Sequence, residues 1–105
     1  MTNSQHPNSP RDADIKLASR CLKGMASPIR LKILCVLGDQ ILSVQAIVEQ
    51  VGTSQSNISQ HLAILRGKGL VESKKEANQV FYFINDPRML QLIKMMHQVF
   101  CPQPS

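Results

Sequence analysis

The feature that most constrains this chain is a pair of short helical patterns separated by one tight turn. Val44, Ile47, Val48 and Val51 fall at i, i+3, i+4 and i+7, the spacing of a single apolar stripe on an α-helix. Ser43 precedes them as an N-cap, and Gly52 follows as a residue suited to the left-handed turn that ends a helix. Thr53 or Ser54 then caps a second segment that runs to about Lys68 and is followed by Gly69, with Ile58, Leu62 and Leu65 as its stripe. Two short amphipathic helices joined through a glycine-containing turn are the pattern of a helix-turn-helix.

The flanking segments extend this unit on both sides. Ile15, Ala18, Leu22 and Met25 predict a first helix from about Asp14 to Met25. Ser27-Pro28 opens a second one that carries Ile29, Ile33, Leu34 and Leu37 and stops at Gly38. After Gly69 the periodicity changes to alternation. Residues 70–75 and 80–84 read as strands with polar 76–79 between them, a β-hairpin directly behind the helix-turn-helix. Asp86-Pro87 then opens a last helix to about Phe100. The expected fold is mainly α with a small β-hairpin, in the order α-α-α-α-β-β-α: a winged helix-turn-helix. Residues 1–12 are polar and read as a disordered arm, 13–101 as the folded domain, and 102–105 as a tail.

Composition narrows the function. A chain of 105 residues has room for one domain. Its 43% hydrophobic content includes one Tyr, three Phe and no Trp, so the core rests on Leu, Ile, Val and Met. No apolar run approaches the roughly 18 residues of a membrane span, and no basic-then-apolar segment opens the chain. These features lead to the expectation of a cytoplasmic protein. Twelve Lys and Arg against seven Asp and Glu give a net charge of +5, a balance that favours a polyanion such as nucleic acid.

On the fourth helix, Ser56, Ser59, Gln60 and Ala63 share the face opposite the apolar stripe, with Gln55 near its N-terminal end. An ordinary solvated face would carry more Glu and Lys. Short hydroxyls and amides suit the major groove, where Gln pairs with adenine and Ser with several base edges. His61 lies between the two faces, and either a DNA contact or a bridge to the body accounts for it. Arg66, Lys68, Lys74 and Lys75 fall at the helix end and along the hairpin, placed for phosphates. On the last helix, Leu90, Ile93 and Phe100 form one apolar stripe and Met89, Leu92, Met96 and Val99 a second. Two stripes on a terminal helix predict packing both on its own domain and on a partner.

Three separate segments resemble the ArsR/SmtB family of bacterial repressors. They are Leu22-Lys23-Gly24-Met25-Ala26-Ser27-Pro28-Ile29-Arg30-Leu31-Lys32-Ile33-Leu34, then Ser54-Gln55-Ser56-Asn57-Ile58-Ser59-Gln60-His61-Leu62, then Glu76-Ala77-Asn78-Gln79-Val80-Phe81-Tyr82. The similarity spans about Leu17 to Cys101. It implies a DNA-binding transcriptional repressor rather than an enzyme: a homodimer formed through the first and last helices on a two-fold operator of double-stranded DNA.

Members of that family differ in what releases them. Arsenic sensors have a Cys-x-Cys on the third helix, where Leu42 to Val51 contain no cysteine. Zinc sensors carry paired ligands on the last helix, where this chain offers only His97 beside Cys101. No metal site and no cofactor are therefore expected. The surroundings of Cys35 and Cys101, and their separation, resemble the family's dithiol subgroup, which senses reactive sulfur species or oxidants. The resemblance implies that these two thiols are the switch, joined by a disulfide or a polysulfide. Read without it, Cys35 in its apolar helix is a buried core thiol. Cys21 is either packing or a third thiol. Three other readings stay open: a metal- or metalloid-responsive repressor using Cys35, Cys101 and Cys21 or His97; a thiol enzyme; and a protein-binding winged helix.

Overall fold

The computed structural model describes residues 9–100. Its elements are α1 (Asp12–Met25), α2 (Pro28–Leu37), β1 (Leu42–Ser43), α3 (Val44–Val51), α4 (Gln55–Gly67), β2 (Glu72–Glu76), β3 (Gln79–Phe83) and α5 (Pro87–Phe100). Cys101, the tail and most of the N-terminal arm lie outside the described residues.

Local chemistry sets the helix ends. The Ser27 hydroxyl accepts from the Arg30 amide at 3.3 Å, Ser43 from Ala46 at 3.1 Å and Ser54 from Asn57 at 3.2 Å. Each satisfies one of the donors that a helix leaves unpaired at its start. Ser54 is thus the cap of α4, while Thr53 accepts from the Asn57 side chain at 3.2 Å. Gly52 takes the left-handed conformation (φ 88°) that turns the chain from α3 into α4. Helix α1 starts at Asp12, earlier than expected, because the Asp14 carboxylate accepts from the backbone amide of Arg11 at 3.2 Å.

The sheet has one strand more than the hairpin. Its order is β1-β3-β2, all antiparallel, with Leu42 opposite Tyr82 and Ser43 opposite Phe81. The hairpin turn is also tighter than expected. Glu76 pairs with Gln79, leaving only Ala77-Asn78 between the strands, with Ala77 at φ 55°. Leu70, Val71 and Ile84 fall outside the strands and enter the core instead.

Ile33, Leu34 and Leu37 of α2, Ile47 of α3, and Ile58, Leu62 and Leu65 of α4 are fully sequestered from solvent. Burying each such side chain contributes roughly 1.5–3 kcal/mol, so the helix-turn-helix is anchored on α2 through all three helices. No polar or charged side chain is buried among the described residues. None of their helices is long and apolar enough to cross a membrane.

The outer helices phase their apolar residues differently from the sequence reading. In α1 the stripe that marks the helix faces outward: Ile15 is 53% and Leu22 56% exposed, and only Met25 is buried. In α5, Met89 and Ile93 belong to different expected stripes, yet they lie one turn apart and are both buried at 3% and 2%. Val99 and Phe100, also split between stripes, are both exposed, together with Met95. A helix apolar on more than one side is phased by what packs against it, and here α2 packs on α5.

Candidate nucleic-acid interface and thiol positions

Helix α4 separates two chemistries cleanly. Ile58, Leu62 and Leu65 fill the core, while Gln55, Ser56, Ser59, Gln60 and Ala63 are all exposed. The core therefore selects which face of the helix is covered and leaves amide and hydroxyl groups on the outside. These groups donate and accept, as base edges require.

Pairing of β1 with β3 brings the wing beside this helix. A groove of about 400 Å³ results, lined by Gln45 of α3, Gln55 and Ser59 of α4, and Gln79 and Tyr82 of β3. Gln45, Gln79 and Tyr82 were not singled out in the sequence. Their only signal is proximity, which arises from a strand pairing with no local signature.

The basic residues divide into two groups. Arg66 at the end of α4, and Lys74 and Lys75 on β2, are exposed. Lys74 Nζ lies 3.6 Å from a Glu76 carboxylate oxygen, so part of the wing's positive charge is offset within the wing. Lys68 departs from the expected group: it lines the cleft between α1 and α5, its stem over Gly24.

His61 bridges to the body. Its Nδ1 lies 3.4 Å from Nη1 of Arg30, whose Nε donates to the Gly24 carbonyl at 2.8 Å. The histidine is half-buried and sits beside the exposed Gln60.

Cys35 is half-buried on α2 and packs against the core. Cys21 is a half-buried free thiol on α1 that lines a cleft of about 490 Å³ with Leu17, Met89 and Leu92. Cys101, the other expected switch residue, lies outside the described residues. Among the described residues no three His, Cys, Asp or Glu side chains cluster as metal ligands would.

Comparison with known proteins decides the family. The profile described as "Bacterial regulatory protein, arsR family" matches residues 27–73, from the cap of α2 into the wing. The transcriptional activator HlyU of Vibrio cholerae is 45% identical over 80 residues, covering 76% of this chain and 74% of that protein. The chain belongs to the arsR family.

This arsR-family chain is a DNA-binding transcriptional regulator, as are the relatives it matches, and not an enzyme. The biofilm growth-associated repressor of Xylella fastidiosa is 31% identical over 106 residues, covering 98% of this chain and 93% of that one. Two structures of V. cholerae HlyU, both 41% identical, superpose with TM-scores of 0.83 and 0.81. They cover 87% and 86% of this chain and 99% and 95% of theirs, and the second is of the reduced protein. A homodimeric winged helix-turn-helix DNA-binding domain from Mycobacterium bovis superposes at 0.74 with 28% identity, over 90% of this chain and 88% of that one. The winged helix-turn-helix read from the sequence is the fold of these neighbours.

Proposed function

We propose that this regulator is a homodimeric repressor, and that joining Cys35 to Cys101 releases it from operator DNA. The observation that carries the DNA half is the division of α4, with Gln55, Ser56, Ser59 and Gln60 outside and Ile58, Leu62 and Leu65 inside. Those four side chains, with His61 beside them, read bases, while Arg66, Lys74 and Lys75 hold phosphates.

Dimerisation uses α1 and α5. Ile15 and Leu22 on one helix, and Met95, Val99 and Phe100 on the other, are large apolar side chains left more than half exposed, a surface suited to a second copy. The homodimeric neighbour from M. bovis has the same architecture. A two-fold dimer carries two recognition helices at a fixed spacing, which a two-fold operator matches.

Three points support the thiol switch: the resemblance of both cysteine contexts to the dithiol subgroup, the packing of α2 on α5, and the position of Cys101 immediately after Phe100. A reduced form is also among the HlyU structures. In the persulfide route, the Cys35 thiolate takes the outer sulfur of a low-molecular-weight persulfide, whose remainder leaves as a thiol. Cys101 then attacks the inner sulfur of the Cys35 persulfide and expels hydrosulfide, leaving a disulfide. A link between α2 and the end of the dimerisation helix changes the spacing of the two α4 helices, and a small change suffices to break half-site register.

The test uses a duplex selected from a random pool by the reduced protein. Fluorescence anisotropy should show tight binding by the reduced dimer and loss after treatment with a persulfide donor. Cys35→Ser and Cys101→Ser should each remain bound after the same treatment. Release by zinc or arsenite instead, with the persulfide donor inert, would replace the dithiol switch with a metal-responsive one.

A further inference from the structure

His61 and Arg30 are the described side chains through which α4 meets the C-terminal end of α1 by polar contact. The Arg30 guanidinium reaches three acceptors on two other elements. Its Nε donates to the Gly24 carbonyl at 2.8 Å, its Nη2 to the Lys23 carbonyl at 3.5 Å, and its Nη1 meets His61 Nδ1 at 3.4 Å. Lys23 and Gly24 lie in the last turn of α1, where the helix dipole favours a cation, and the Lys23 carbonyl also accepts from the Ala26 amide at 3.3 Å. His61 lies in the middle of α4, next to exposed Gln60 and one turn before Leu65.

We infer that Arg30 is a positioning residue for DNA recognition: it registers the roll of α4 against the C-terminal turn of α1, and it fixes His61 as the Nε2–H tautomer. The tautomer follows from hydrogen-bond inventory. Arginine offers only donors, so the contact needs the Nδ1 lone pair and leaves the ring proton on Nε2. The recognition helix then carries a defined donor at His61, beside the amide of Gln60. The register follows from rigidity. A planar guanidinium holding backbone carbonyls on one side and an imidazole on the other tolerates little rotation of α4. Because α1 carries the outward Ile15 and Leu22 face, Arg30 also places the reading face relative to the surface on which a second copy docks.

The inference rests on α4 being the helix that reads DNA, and its test separates the two ideas. Wild-type protein labelled with ¹⁵N-histidine should give His61 as the Nε2–H tautomer, with His61→Leu used for assignment. An Nδ1–H tautomer would overturn the inference without any folding variant being involved. Operator affinity relative to random-sequence DNA is then measured for Arg30→Gln, His61→Leu and the double variant. The expected result is a loss of discrimination of about tenfold on Arg30→Gln in the wild-type background, within the range for residues in direct contact. The same change should cost little in the His61→Leu background. Equal losses in both backgrounds, or unchanged discrimination despite an altered tautomer, would refute the positioning role. If Gln60→Ala also leaves discrimination unchanged, the reading helix itself has been misassigned.

Discussion

Leu42 stands opposite Tyr82 in an antiparallel register that ties the residues just before α3 to the inner strand of the wing. The helix-turn-helix and the wing are therefore one unit, because the chain segment that starts α3 is itself an edge strand of the wing's sheet. The groove lined by Gln55, Ser59 and Tyr82 also has Ser43 of β1 in its wall, so it borders that pairing.

A wing held in place should contribute a defined share of the salt dependence. Each phosphate neutralised by a cation adds about 0.9 to the slope of log affinity against log salt. Lys75→Ala should lower the slope by about one. Lys74→Ala should lower it less, since Glu76 already offsets that charge at 3.6 Å. Glu76→Gln should raise affinity by removing an acid from the hairpin proposed to meet phosphates. Titration of binding at several salt concentrations measures all three, and an unchanged slope for Lys75→Ala would place the wing off the DNA.

Base readout should behave differently from phosphate contact. Gln60→Ala removes an exposed amide without disturbing the buried stripe of α4. A lost bidentate contact costs about 1–3 kcal/mol of discrimination at one base pair. The expected outcome is relaxed preference at a single operator position in a competition assay, with binding to random DNA unchanged.

Gly24 sits where α1 presses on the start of the wing. A Cβ built there would clash with the Leu70 side chain, and Leu70 is buried at 4% exposure. Alanine gains about 0.5–1 kcal/mol of helix preference, but overpacking a filled core costs about 1–3 kcal/mol. Displacing Leu70 should win, so Gly24→Ala is expected to lower the denaturation midpoint. A raised midpoint would mean that α1 stands off the body more than this packing indicates.

The start of α5 should be acid-sensitive. Asp86 accepts from the Arg88 side chain at 2.9 Å and from the Arg88 amide at 2.9 Å, and these bonds hold its carboxyl below the ordinary value of 3.8. A carboxyl lowered on folding contributes stability above its unfolded value and loses it as pH falls toward the folded one. Denaturation curves of wild type and Asp86→Asn should differ at neutral pH and converge as the pH falls below the ordinary carboxyl value. A constant difference across that window would show that the ion pair adds nothing to the fold.

Much of this architecture was legible in the sequence because its signals are local. Ser27, Ser43 and Ser54 cap the helices that follow them, and Gly52 supplies the left-handed turn, each acting within a few residues. What escaped is nonlocal. Strand β1 consists of Leu42 and Ser43 alone, and nothing in those two residues announces a partner near Tyr82. The outward stripe of α1 reads as helical whichever way it faces, so periodicity identified the helix but not its buried side. The sequence left His61 open between a DNA contact and a bridge to the body, and could not name Arg30, 31 residues away, whose other acceptors are backbone carbonyls that leave no trace in side-chain identity. On α4, by contrast, the exposed residues were those expected, since a Ser/Gln face opposite three core residues has only one way to point.

The most direct test of the thiol switch is peptide and intact mass spectrometry of the reduced dimer after exposure to a persulfide donor, with operator binding scored on the same samples. The expected result is a Cys35–Cys101 crosslink within one chain, as a disulfide or with additional sulfur, appearing in step with loss of DNA binding. Full release from DNA with both thiols unlinked, or a complete crosslink with DNA still bound, would contradict it.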